Sequence, residues 1–102
     1  MSQSTPDDLA ISFRSLPRRL REASIGDVDP TDATHASKLV DEAVAGAALI
    51  VGCSPTIESL ATTLEQRPLN EWTDAQLATV QGYATAAGTA IRVLHDKSDG
   101  RH

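Results

Sequence analysis

The sequence has very few aromatic residues: Phe13, Trp72 and Tyr83 are the only ones in the chain. A core with so few large side chains must gain its contacts by bringing backbones close together. Alanine is abundant and favours helix more than any other residue. Both facts point to closely packed helices. Cysteine is almost absent too. Cys53 stands alone, which excludes an intrachain disulfide and makes a reducing compartment, the cytoplasm, the natural expectation. Basic residues are outnumbered, and the net charge of −5 works against binding to nucleic acid or anionic membrane unless the basic side chains cluster.

Long apolar runs are also missing. The longest, Ala43 to Cys53, covers 11 residues, whereas a membrane span needs about 20, so no membrane partner is expected. Residues 1–8 are polar and acidic, without the basic and apolar stretches of a secretory signal. They read as a disordered tail, as do residues 98–102. Residues 9–97 are expected to form a single helical domain. At this length folding removes roughly two thirds of the unfolded chain's surface, enough for one core without metal or disulfide staples.

Periodicity gives an all-α bundle. Phe13, Leu16, Leu20 and Ala23 recur at helical spacing, and Pro17 fits best in a first turn, so a short N-terminal helix is expected at about 15–24. Gly26 and Asp27–Asp29 should end it. A long second helix is expected at about 30–52, with Asp29 as N-cap, Pro30 in the first position and Gly52 as stop. Its seam contains Val40, Ala43, Ala47 and Ile50. From Ala43 onward its other faces are apolar as well, so it should be covered on nearly every side.

Ser54 and Pro55 restart the chain as a short third helix at about 55–66. Thr73 with Gln76 forms a capping box, bracketed by Trp72 and Leu77 in the manner of a hydrophobic staple. From it a fourth helix runs at about 74–96, along a seam of Leu77, Val80, Ala84, Ala87, Ile91 and Leu94. Helices two and four have matched lengths and matched small centres, which predicts that they lie antiparallel with close axes. Gly46, Gly82 and Gly88 fall inside helices, where each costs roughly 1 kcal/mol relative to alanine. Close approach of a neighbour is the simplest offset.

Little in the sequence nominates chemistry. His35, Cys53, His95 and His102 lie far apart, with no HxxxH or CxxC spacing. Cys53 reads as a small buried hydrophobe. Asp41 and Glu42 are adjacent and point to different parts of the helix surface. No catalytic residue, metal ligand or cofactor is assigned, and a small helical enzyme is only the third reading. Arg14, Arg18, Arg19 and Arg21 gather four of the nine basic residues in one stretch. On a helix Arg14, Arg18 and Arg21 share a face and Arg19 points away. These residues, with Trp72 as an aromatic anchor, are the candidate partner-binding set. A solvated face pairing with Asp27–Asp32 or with a neighbouring subunit is the plainer account of the arginines. The segment Thr73–Ala78 followed by Gly82 resembles the opening of a helix-turn-helix, but it continues Tyr-Ala-Thr-Ala-Ala-Gly, as uninterrupted helix.

The sequence therefore predicts a non-enzymatic helical interaction module, an inhibitor, immunity-type factor or regulatory adaptor. Its partner is an unidentified protein, and a homodimer would supply the cover that the apolar helix needs. The alternative is a nucleic-acid-associated regulator using the Arg14–Arg21 segment.

Overall fold

The computed structural model describes residues 5–25 and 28–99, which form four α-helices and one 3-10 turn, with no strand among the described residues. The first helix, α1, spans Pro6–Ala23 and starts well before the expected position near Ser15. Its start is locally encoded. Thr5 is the N-cap, its Oγ1 accepting the Asp8 N–H at 3.1 Å; Pro6 takes the first turn; Asp7 and Asp8 face the positive end of the helix dipole. Pro17 thus lies inside the helix. An interior proline costs about 3 kcal/mol, but Leu9, Phe13 and Leu16 are each no more than 1% exposed. Each such burial contributes about 1.5–3 kcal/mol, so packing outweighs the proline, which sits on the exposed side. The expected stop at Gly26 and Asp27 lies outside the described residues; the helix itself ends at Ala23, with Ser24 as C-cap. Residues 1–4 and 100–102 of the expected tails also lie outside them.

Helix α2, Pro30–Val51, begins where Asp29 Oδ1 accepts the Thr31 N–H at 2.8 Å. It ends at Gly52, whose φ of 76° is left-handed and suits glycine. Two N–H groups, of Gly52 and Cys53, donate to the Ala48 carbonyl there, at 2.8 and 3.0 Å. Helix α3 is Ile57–Gln66, capped by Thr56, whose Oγ1 accepts the Ser59 N–H at 3.1 Å. The helix thus starts two residues after the expected position 55: the Thr56 hydroxyl supplies the cap, and Ser54 and Pro55 stay in the turn. A 3-10 turn, Leu69–Glu71, leads to α4, Asp74–Asp99. The capping box closes both ways: the Gln76 N–H donates to Thr73 Oγ1 at 3.0 Å, and the Thr73 N–H donates to Gln76 Oε1 at 3.1 Å. No break occurs at Gly82, so the likeness to a helix-turn-helix ends at the capped start.

Helices α2 and α4 make the most extensive pairing in the fold. They run antiparallel, because Lys97 Nζ near the end of α4 donates to Asp32 Oδ1 near the start of α2, at 3.2 Å. Gly46 meets Tyr83 farther along. As many residues separate Asp32 from Gly46 as separate Tyr83 from Lys97, so one register holds throughout and Leu39 is level with Ala90. Helix α1 packs on α3 and α4, and α3 also touches α2, which makes a second layer. The result is a slab with principal extents of 49 × 31 × 18 Å. The core lies between the layers.

Of the residues assigned to helix packing, Val40, Ala43, Ala47, Leu77, Val80, Ala87, Ile91 and Leu94 are buried, and Ile50 and Ala84 are half-buried. The apolar run of α2 is not covered on every side, however. Ala43, Val44, Ala47, Ala48 and Val51 are buried, but Ala45 is exposed and Leu49 is 81% exposed. Four helices in two layers cover only one face of α2.

Candidate interaction surface

The second layer protects one face of the α2–α4 pair. The opposite face is open and holds a groove of about 660 Å³, lined only by residues of these two helices. Its floor is made of small or buried side chains, chiefly Ala36, Ala43 and Ala90. Small floor residues let the two ridges stand above it. On α2 the ridge is His35, Leu39 and Glu42; on α4 it is Ala86, Thr89 and Val93, all exposed. Leu39 and Val93 are 38% and 48% exposed, which places large apolar surface on both rims. The groove closes at one end with the Asp32–Lys97 ion pair and reaches Tyr83 at the other. Apolar side chains of both helices thus line its length, with His35, Glu42, Thr89 and the Asp32–Lys97 pair at its margins.

The basic segment is divided by the fold. Arg14 donates to Glu65 of α3 in a short ion pair, so its partner is on α3 and not in the Asp27–Asp32 stretch. That hydrogen bond is the main cause of a raised Arg14 pKa; partial desolvation opposes it, and the charges of Glu65 and Glu58 add to it. Both members are exposed, so the pair orients α1 on α3 more than it stabilises them. Arg19 is half-buried and turns its guanidinium toward Gly88 of α4. Arg18 and Arg21 remain exposed. The four arginines therefore do not form one patch.

Trp72 is 6% exposed and belongs to the core, as does Leu77 across the capping box. Its indole N–H donates to the Arg67 carbonyl at 3.2 Å, and the Arg67 guanidinium covers the ring at 4.5 Å from its centroid. Little of the ring faces solvent. Cys53 is half-buried at the α2–α3 turn, its thiol 3.4 Å from the Ser54 carbonyl. His35 is exposed near the start of α2, and His95 is exposed near the end of α4. No group of three or more His, Cys, Asp or Glu is placed to hold a metal ion among the described residues. No described helix is long and apolar enough to cross a membrane.

The groove is the feature that sequence reasoning missed. Its signal was present: Leu39 and Val93 lie off the core seams, on helices whose seams were already filled. No protein-family model matches the chain, and no curated protein or solved structure is significantly similar to it.

Proposed function

We propose that the chain is a non-enzymatic protein–protein interaction module, of the inhibitor, immunity or regulatory-adaptor kind, that associates with itself through the open face of the α2–α4 pair. One observation carries the reading: a long apolar groove between two ridges, on the face that the second layer leaves uncovered. Such a groove accepts a helix or a helical ridge. The single half-buried cysteine supports a reducing compartment such as the cytoplasm.

The test is mass in solution by light scattering at micromolar concentration, for the wild type and for Leu39→Glu. A dimer that Leu39→Glu converts to a helical monomer supports the proposal. A wild type that stays monomeric refutes it. The nucleic-acid alternative loses support from the pairing of Arg14 with Glu65 and the turning of Arg19 toward α4. Salt-sensitive retention on heparin, abolished by Arg18→Glu with Arg21→Glu, would restore it.

A further inference from the structure

We infer that a cleft between α1 and α4 binds a single phosphoryl dianion, free or on a small monoester, through Arg19 and Arg92. The cleft, of about 320 Å³, is lined by Arg19, Glu22 and Ala23 of α1 and by Ile91, Arg92 and His95 of α4. It shares no residue with the groove between α2 and α4, so a dimer formed through that groove leaves it as it is. Its floor is apolar, Ala23 and Ile91 being 2% and 5% exposed. Helical periodicity builds the walls. Gly88, Arg92 and His95 follow at spacings of four and three and form one line along α4. Arg19 reaches that line from α1, with Nη2 3.4 Å from where a Cβ on Gly88 would stand, one turn before Arg92. The fold thus brings two guanidinium groups from different helices to one cleft.

Like charges at one cleft repel, and an anion between them removes that cost. The chain has 14 acidic residues from which to supply one. It does not do so: neither Arg19 nor Arg92 has an ion pair among the described residues, although Arg19 is half-buried. Arg14 is the contrast, an exposed arginine on the same helix that is paired with Glu65. Glu22 lines the cleft without pairing with either guanidinium. His95 has an interaction of its own, so the binding groups are the two arginines. The planar fork of an arginine matches a phosphoryl group with two parallel N–H···O bonds, and two such forks match a group of two negative charges. Glu22 limits the size of the anion. A nucleic-acid backbone binds through many phosphates at once, whereas this cleft offers two arginines with a carboxylate beside them, on a chain of net charge −5. A compact dianion can meet the arginines and avoid Glu22; an extended polyanion cannot.

The test is a titration of the full chain with inorganic phosphate, and separately with phosphoserine, at constant ionic strength and at about pH 7.5, where the phosphoryl group is largely a dianion. Nuclear magnetic resonance of the arginine Nε–H groups reads each guanidinium by itself. The Arg19 and Arg92 signals should move and saturate with either probe, while chloride at the same ionic strength leaves them in place. Tighter binding of phosphoserine would identify an ester as the better ligand. Arg19→Gln and Arg92→Gln should each weaken binding by about tenfold or more. Glu22→Gln should tighten it by removing a like charge, and Arg18→Gln, at an exposed position outside the cleft, should leave it unchanged. The remaining amide signals report whether each variant keeps its fold. Shifts that do not saturate, shifts that chloride reproduces, or equal losses in Arg18→Gln and Arg19→Gln overturn the assignment. So does a short DNA duplex that moves the Arg18 and Arg21 signals together with that of Arg19 at lower concentration than phosphate, which would return the arginines to a nucleic-acid surface.

Discussion

Gly46 lies beneath the ring of Tyr83, so closely that a Cβ on residue 46 would stand 2.5 Å from Cε1 and 2.6 Å from Cζ. The glycine is what allows the ring to rest on α2. Its helix-propensity cost is about 1 kcal/mol, while forcing extra volume into a packed contact costs about 1–3 kcal/mol. Gly46→Ala should therefore lower stability by up to about 2 kcal/mol despite the better helix former. In a Tyr83→Ala background the clash is gone, and the same change should raise stability by about 1 kcal/mol. Urea denaturation of the four proteins at one concentration reads the sign, since self-association would add to apparent stability. The same sign in both backgrounds would mean that the ring does not constrain residue 46.

Gly82 is the counter-case. It is one residue before Tyr83, but a Cβ there meets nothing within 4 Å and the position is exposed. No close approach offsets its propensity cost. Gly82→Ala should stabilise the protein by about 1 kcal/mol, visible as a higher urea midpoint with an unchanged slope. A loss of stability would point to a contact at this position that the fold does not contain.

These two glycines mark what could be read from the sequence. Local chemistry was legible wherever the determinants are neighbours: Asp29 with Pro30, Gly52 at a left-handed stop, Thr73 with Gln76. The start of α1 has the same signature in Thr5, Pro6, Asp7 and Asp8, yet Pro17 drew the expected start to Ser15. What outweighs Pro17 is the burial of Leu9 and Phe13 against other helices, which no local rule contains. Tertiary choices were likewise out of reach. Val51 and Leu49 are equally apolar in sequence, but the second layer covers one and leaves the other in solvent. Arg14 finds Glu65, 51 residues away, and not the nearer acidic stretch. The open groove is the sum of such choices, so it appears only when α1 and α3 are placed.

Trp72 separates a core role from a docking role. Its burial, its hydrogen bond to the Arg67 carbonyl and the guanidinium over its ring all act within the chain. Trp72→Ala should cost about 3–5 kcal/mol, as for other large aromatic truncations. Trp72→Phe should cost less, keeping part of the packing while losing the indole donor. As the only tryptophan, it should also fluoresce at short wavelength in the native state and shift to the red on unfolding. Unchanged stability in Trp72→Ala would return the residue to the candidate docking set.

The last prediction concerns why α2 is so rich in alanine. Ala45 and Ala47 are two positions apart on the same helix; one is exposed and the other fully buried. If alanine served only helix propensity, leucine at either place would be nearly neutral, since the two differ little on that scale. Packing distinguishes them. Leucine at 47 has no room in the contact that α2 makes with the rest of the core, and should cost about 1–3 kcal/mol. Leucine at 45 meets solvent and should change stability by less than about 0.5 kcal/mol. Thermal or urea unfolding of the two variants decides the matter. A large loss at 47 with none at 45 would assign the small side chains to close packing on one face of α2, and equal effects would leave helix propensity as their only role.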